Sequence, residues 1–292
     1  MGLARERLSS QSEVLWDAYP EGWMDPVLWL TDLGGPEGAI LVLALVYWLV
    51  DRDRAATVAV YVIVGGAAML ALKFALELGR PGDLLDGVEP VVDDDDPYGF
   101  PSGHALNAVV LYGGLVYTFD KLDDWRYVLG AAALIVAISM TRIFLRVHFL
   151  GDLIVGALLG VAVILVLDRV VTDLRVGFAL GVVAAGLAVL ASGFHEYTLA
   201  IFGIAIGALF ASFLFHIVPP LASRVEGGLL VVIGLAYLVV VMAISDALVA
   251  DPSGFIENAF VVGAHAVLVV GVFLIPVVVS PLDCHRKRLM RG

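Results

Sequence analysis

Residues 141–167 read TRIFLRVHFLGDLIVGALLGVAVILVL and determine the fold class of this chain. From Phe149 to Leu167 the only charged residue is Asp152. A run of about 20 apolar residues is the length that an α-helix needs to cross the hydrocarbon core of a bilayer. Similar runs recur along the 292 residues, of which 61% are hydrophobic and 16% are charged, whereas soluble domains carry about 25% charged residues. The sequence therefore predicts an all-α fold, a polytopic integral membrane helical bundle.

The apolar runs predict about nine membrane spans, separated by charged residues or by Gly and Pro. They lie near residues 38–50, 55–76, 104–119, 127–142, 149–167, 176–192, 198–217, 228–249 and 260–280. Residues 11–34 are amphipathic and contain three Trp residues, which predicts a helix that lies in the membrane interface. We expect a motif-bearing core over 1–170, followed over 171–292 by additional transmembrane helices of unknown role that end in a basic tail.

The positive charges are distributed unevenly between the two sets of predicted loops. One set, together with the C-terminal tail, holds Arg52, Arg54, Lys121, Arg126, Arg169, Arg175, Arg224, Arg286, Lys287, Arg288 and Arg291. Loops rich in Lys and Arg stay in the cytoplasm, so we predict a multi-pass protein of the cell membrane with a cytoplasmic C-terminus. The net charge of −12 is not that of a protein that binds nucleic acid. Cys284 is the only cysteine, so the chain cannot form an internal disulfide.

Three ionisable residues, Lys73, Glu77 and Arg80, lie at the end of the second predicted span. Such residues are costly at membrane depth and point to a function. Lys73 and Arg80 are seven residues apart, close to two helical turns, so we expect their side chains on one face. Pro81 is expected to end the segment, because helix is disfavoured at the residue before a proline. In the alternative interpretation, Lys73 pairs with Glu77 and Arg80 reaches the interface.

Pro101-Ser102-Gly103-His104 opens the third predicted span. A helix N-terminus presents backbone N–H groups and a partial positive charge, which favour a bound anion. Gly103 allows a ligand to approach the backbone closely, and Ser102 can cap the helix or bond to a phosphate oxygen. His104 would stand beside that anion. The alternative is an ordinary helix start followed by an interfacial histidine.

His148 and Asp152 are four residues apart, which predicts that they share one helical face and that the carboxylate holds an imidazole N–H. An oriented imidazole is a competent nucleophile or base. Arg142 precedes His148 by six residues, and its guanidinium can bind a phosphate through two parallel hydrogen bonds. The motif-bearing ends of the spans face away from the positive loops, so this site is predicted to face outside the cell.

Together the three segments resemble the three-part motif of the type 2 phosphatidic acid phosphatase (PAP2) superfamily, which includes integral-membrane lipid phosphate phosphatases. The segments are Lys73-x6-Arg80-Pro81, Pro101-Ser102-Gly103-His104 and Thr141-Arg142-x5-His148-x3-Asp152. Thr141 stands where the family usually has Ser, which keeps the hydroxyl. About five predicted spans accompany the motifs, where membrane members usually have six, and residues 171–292 have no counterpart in the family core.

The resemblance implies a two-step phosphoryl transfer. His148 would attack phosphorus and become a phosphohistidine while Asp152 holds its ring. His104 would protonate the leaving oxygen and then activate water. The residues implied to bind phosphate are Lys73, Arg80, Ser102, Gly103 and Arg142. No metal or other cofactor is implied, because the cations supply the positive charge that phosphoryl transfer needs.

The implied activity is hydrolysis of a membrane lipid phosphate or diphosphate, such as a phosphatidic acid or a polyprenyl diphosphate. The same residues would serve a phosphotransferase that passes the phosphoryl group to a lipid or sugar hydroxyl. A transporter that only recognises phosphate is a third interpretation, favoured by the extra spans. Which lipid is the substrate, and whether the C-terminal helices form a homo-oligomer, are left open by the sequence.

Overall fold

The computed structural model describes residues 7–17, 22–92, 96–248 and 254–289, and every regular element within these ranges is helical. In chain order the α-helices are α1 (Ser9–Asp17), α2 (Met24–Asp32), α3 (Pro36–Leu49), α4 (Arg52–Leu76), α5 (Pro81–Leu84), α6 (Gly103–Ala108), α7 (Gly114–Thr118), α8 (Trp125–Phe144), α9 (Leu150–Val170), α10 (Leu174–Ser192), α11 (Glu196–Ser212), α12 (Arg224–Leu248) and α13 (Phe255–Leu289). A π-helical turn, Val109–Gly113, joins α6 to α7. The predicted all-α membrane fold class is therefore confirmed. The side chains of the basic tail, from Pro281 onward, lie outside the described part.

Six helices of the described chain are long and apolar enough to cross a membrane, rather than the nine spans predicted. The first is the stretch Arg52–Leu84, which includes α4 and α5, and the others are Trp125–Phe144, Leu150–Val170, Leu174–Ser192, Arg224–Ser245 and Phe255–Ser280. The helices α2 and α3 qualify only together, as a pair bent by 60°. The predicted span 104–119 is interrupted by the π-helical turn, and α11 has only 17 residues. By length and composition the described helices thus give six candidate spans, or seven if α2 and α3 form one span.

The chain forms two compact units. Unit 1 consists of Met1–Leu41 and Val64–Val170, and unit 2 consists of Val42–Ile63 and Val171–Gly292. All three motif segments lie in unit 1. Residues 42–63, which the sequence places with the motif-bearing core, group with the C-terminal helices: the indole N–H of Trp48 donates to the carbonyl of Val272 at 2.8 Å.

Glycines bring α6 and α9 close together within unit 1. A Cβ on Gly160 would lie only 2.9 Å from the Cβ of Val109, and a Cβ on Gly156 would overlap the carbonyl of Ser102. Small residues at such positions let membrane helices approach closely. This contact sets the start of α6 beside the first turns of α9.

The N-terminal segment does not form the single interfacial helix predicted for residues 11–34. It forms α1 and α2 instead, and α1 packs against the start of α9. Ser12 Oγ accepts a hydrogen bond from the Leu150 amide at 2.9 Å. Trp16 is buried, with its ring centroid 6.4 Å from that of Phe149. Trp23 and Trp29, in contrast, are exposed.

Candidate active site

Lys73 is a buried cation in the last turn of α4. Its ammonium donates to the carboxylate of Asp96 and, at 2.7 Å, to the carbonyl of Tyr98. The helix stops three residues later at Leu76, because Glu77 adopts a left-handed backbone with φ of +51°. Lys73 is thus held at the end of the helix against the loop that contains Asp96 and Tyr98.

Arg80 is not on the helix of Lys73, so the predicted shared helical face is wrong. Its backbone is extended, and Pro81 begins the short helix α5, a position that suits proline because no helical N–H is lost there. The guanidinium nevertheless reaches the same loop as Lys73. Arg80 Nε donates to the carbonyl of Asp96 at 3.0 Å, and Nη1 donates to the carbonyl of Val147 at 3.0 Å.

Ser102 caps α6, as one of its two predicted roles requires. Its hydroxyl oxygen accepts a hydrogen bond from the Ala105 amide at 3.4 Å, and the side chain is fully buried. The backbone N–H of Ser102 donates to the carbonyl of Asp152 at 3.1 Å. This bond links the second motif segment directly to the third.

His104 follows Gly103 in the first turn of α6 and is half-buried. The turn between α2 and α3 lies against it: a Cβ on Gly34 would be 3.3 Å from His104 Cδ2, and one on Gly35 would be 3.7 Å from Nε2. His104 is also near enough for four charged or ionisable groups of the motifs to act on it electrostatically. These are Arg142, His148, Lys73 and Arg80.

The chain turns sharply between α8 and α9, and this turn positions His148. Arg146 has a left-handed backbone with φ of +58°, and its amide donates to the carbonyl of Ile143 at 2.8 Å. The next amide, of Val147, donates to the carbonyl of Arg142 at 3.2 Å. This pair of bonds is the Schellman helix end, here with Arg at the left-handed position that glycine usually occupies. His148 therefore lies two residues before α9 begins.

Because His148 precedes the helix, the predicted shared helical face of His148 and Asp152 is also wrong. The two side chains are close for a different reason. Asp152 lies in the first turn of α9, and its Oδ2 folds back to accept the Phe149 amide at 2.8 Å. That oxygen is 3.4 Å from His148 Nδ1, and both side chains are buried. The imidazole and the carboxylate are thus neighbours, as predicted.

Asp152 has a second partner that sequence reasoning missed. Arg7 Nε donates to Oδ1 at 2.6 Å and Nη2 donates to Oδ2 at 2.7 Å, a bidentate pair. Arg7 Nη1 donates to the carbonyl of Gly79 at 2.7 Å, and the guanidinium lies 4.9 Å from the centre of the Phe149 ring. The only signal in the sequence is that Arg7 lies on the motif-bearing side of the membrane, where cations are few.

Arg142, in the last turn of α8, is likewise buried. Its Nη1 donates to Thr31 Oγ1 at 3.1 Å. Thr31 lies in α2, and the sequence did not indicate it as a site residue. The neighbouring Thr141 hydroxyl, which replaces the usual Ser of the motif, donates to the carbonyl of Ile138 at 2.6 Å. Thr141 thus satisfies its hydroxyl within its own helix.

The three segments therefore meet at one end of the helices of unit 1, at the C-terminal ends of α4 and α8 and the N-terminal ends of α6 and α9. The site contains two histidines and three cations beside the N-terminus of α6. Such a combination is suited to binding an anion. Within the described residues, no group of three or more His, Cys, Asp or Glu side chains is arranged to hold a metal ion.

Residues 54–175 match the sequence model of the PAP2 superfamily, so the resemblance of the motifs is confirmed. The chain is also 27% identical over 123 residues to a Bacillus licheniformis protein named bacitracin transport permease protein BcrC. That match covers 40% of this chain and 57% of the B. licheniformis protein. No solved structure matches the chain.

Proposed function

We propose that the PAP2-superfamily part of this chain, residues 54–175, forms an integral-membrane phosphatase that hydrolyses a lipid phosphate or diphosphate. The observation that carries the proposal is the buried pair of His148 Nδ1 and Asp152 Oδ2, 3.4 Å apart, in a site that also contains His104 and Arg142. An imidazole held by a carboxylate is what covalent phosphoryl transfer requires of a nucleophile.

In the first step, His148 attacks phosphorus through Nε2, the ring nitrogen on the side away from Asp152. The P–O bond to the lipid breaks as the P–N bond forms, and His104 gives a proton to the leaving oxygen. In the second step, His104 takes a proton from water, the water oxygen attacks phosphorus, and inorganic phosphate leaves His148. Positioning and charge stabilisation account for most of the catalysis in this kind of reaction.

The cations hold the phosphoryl oxygens during both steps. Lys73, Arg80 and Arg142 provide the positive charge, and the Gly103 N–H at the start of α6 provides a backbone donor. Ser102 acts by fixing the start of α6 through its cap. With three cations at the phosphate, the reaction needs no metal ion.

The substrate is a lipid because the site lies at the ends of candidate membrane helices. A phosphate headgroup can reach the motif residues there while its acyl or prenyl tail stays in the bilayer. The positive loops at residues 121, 126 and 169 lie at the opposite ends of these helices, so by the positive-inside rule the site faces outside.

Two measurements on the purified protein test the proposal. The first is phosphate release from phosphatidic acid, phosphatidylglycerophosphate, a polyprenyl diphosphate and a soluble phosphate ester. The second is trapping of an acid-labile, base-stable phosphohistidine with radiolabelled substrate. Wild type should release phosphate and form the adduct, His148→Ala should do neither, and His104→Ala should release much less phosphate, because both steps use the His104 proton.

A matched control is His265→Ala. His265 lies in α13 of unit 2, and its Nδ1 is 2.9 Å from the carbonyl oxygen of Val261 in the same helix. The variant should behave as wild type. Substantial phosphate release by folded His148→Ala protein would contradict the proposal.

A second candidate is a transporter that recognises a phosphate group without cleaving it, and the name of the B. licheniformis relative, a transport permease protein, favours it. A pure binder has no need of an oriented nucleophile. Binding of inorganic phosphate without turnover of any substrate would favour this second candidate. Phosphorylation of an added lipid or sugar alcohol would instead identify a phosphotransferase.

A further inference from the structure

We infer that Arg7 is a positioning residue of the active site, which acts on His148 through Asp152. The inference rests on the proposed function, but it concerns a residue outside the family match, which begins at residue 54. It extends the site to the N-terminal segment of the chain.

The first argument is geometric. The guanidinium of Arg7 binds both carboxylate oxygens of Asp152 at 2.6 and 2.7 Å, and its third nitrogen binds the carbonyl of Gly79 at 2.7 Å. A planar fork with two parallel bonds fixes the plane of a carboxylate as a single hydrogen bond cannot. With its plane fixed, Asp152 keeps Oδ2 3.4 Å from His148 Nδ1 and hydrogen-bonded to the Phe149 amide.

The second argument is electrostatic. The side chain of Asp152 is 0% exposed and that of Arg7 is 6% exposed. A buried carboxylate without a counter-charge is strongly destabilised and takes up a proton instead. A protonated Asp152 would lack the negative charge that stabilises the positive charge developing on the His148 ring as it attacks phosphorus. Arg7 supplies that counter-charge and also orients the carboxylate.

The third argument is that the N-terminal segment contacts every motif region, not only Asp152. Gly79, which Arg7 binds, lies next to Arg80 of the first segment. Gly34 lies against His104 of the second segment, and Thr31 accepts a bond from Arg142 of the third. Described residues between Arg7 and Gly35 thus form part of the wall of the site.

The test compares Arg7→Ala and Arg7→Lys with wild type and with Arg126→Ala, an exposed arginine at the other end of α8. Only variants that elute as monodisperse folded protein are assayed. Arg7→Ala should lower kcat about 10- to 100-fold, by analogy with the loss of outer hydrogen-bond partners of metal-binding histidines, and should change KM less than about threefold. Arg7→Lys should be intermediate, because an ammonium keeps the charge but not the fork. Arg126→Ala should match wild type.

Two further measurements separate positioning from a merely structural role. Added guanidinium chloride should restore part of the kcat of Arg7→Ala and none of that of His148→Ala. In an Asp152→Asn background, Arg7→Ala should lower kcat no further, because its partner is already changed. Wild-type kcat in folded Arg7→Ala would overturn the inference. The inference would also be overturned if guanidinium restored none of the kcat of Arg7→Ala and if Arg7→Ala lowered kcat by the same factor in the Asp152→Asn background as in wild type.

An activity-free measurement keeps the inference distinct from the proposed function. Nitrogen-15 NMR of histidine-labelled protein reports the ring nitrogens of His148, assigned by comparison with His148→Ala. Arg7→Ala should shift the Nδ1 resonance, and Arg126→Ala should not. If wild type hydrolyses no substrate, the proposed function fails, while an Nδ1 resonance unchanged by Arg7→Ala overturns the inference by itself.

Discussion

Asp96 accepts a hydrogen bond from the buried ammonium of Lys73, and its backbone carbonyl accepts one from Arg80 Nε at 3.0 Å. A carboxylate of the protein thus lies among cations proposed to bind the phosphate of the substrate. Its side chain is 19% exposed, so solvent weakens the pair without removing it. A phosphate that enters the site must compete with this carboxylate or displace it.

Replacement of Asp96 by Asn should therefore strengthen the binding of inorganic phosphate and of vanadate. The amide keeps the size of the side chain and removes the competing charge, so the dissociation constants should fall about threefold to tenfold, or roughly 1 kcal/mol. Isothermal titration of the purified variant measures this. Asp123→Asn, an exposed carboxylate in the loop before α8, is the control and should bind as wild type does. Weaker binding by Asp96→Asn would mean that Asp96 holds the cations in place instead.

Activity should persist in excess EDTA and should be inhibited by vanadate. Lys73, Arg80 and Arg142 supply the positive charge in the proposed mechanism, and five-coordinate vanadate resembles the phosphoryl group in transit to His148. Phosphate release with and without each reagent is the measurement. A strict requirement for added Mg²⁺ would contradict the mechanism.

The orientation predicted by the positive loops is testable with single cysteines in a Cys284→Ser background. Asp86 and Asp123 are exposed and lie in loops at opposite ends of the helices of unit 1. Asp86→Cys should react with a membrane-impermeant thiol reagent in intact cells, and Asp123→Cys should react only after the cells are opened. The reverse pattern would place the active site in the cytoplasm.

Gly160→Val should destabilise the protein and lower its activity. A Cβ at Gly160 would lie 2.9 Å from Val109 Cβ, and overpacking of this kind typically costs about 1–3 kcal/mol. Because Val109 directly follows α6, overpacking at Gly160 should push α6 away from α9 and move His104 away from His148. Thermal unfolding in detergent and phosphate release are the measurements.

The control for that substitution is Gly130→Val, because a Cβ at Gly130, also inside a membrane helix, has nothing within 4 Å. It should unfold at about the wild-type temperature. Adding Val109→Ala should restore only part of the stability of Gly160→Val, since it removes Cγ1, 3.0 Å from the new Cβ, but keeps the Val109 Cβ atom at 2.9 Å. If both glycine variants behave alike, the effect arises from helix propensity and not from the contact between α6 and α9.

Much of the site could be predicted from the sequence because its residues occur in three short patterns. Order and spacing alone indicated Lys73, Arg80, Arg142 and the two histidines, and the structure places them together in unit 1. The local geometry was predicted less well. Helical periodicity assumes that a helix continues, whereas α4 ends at Leu76 and α9 begins only at Leu150. The left-handed residues Glu77 and Arg146 cause these interruptions, and neither is a glycine or a proline that would signal a break.

The amino-acid sequence by itself determined that this chain is an all-helical membrane protein, because apolar run length is a local property set by the thickness of the bilayer. It also indicated the residues that we propose to bind and attack the phosphate, because they occur in three short patterns of fixed spacing. Only the tertiary structure decided what holds those residues in place. Arg7 is 145 residues from Asp152, and Thr31 is 111 residues from Arg142. No periodicity or spacing relates residues so far apart in the chain. Their contacts exist because helix packing within unit 1 buries charges that must then find partners.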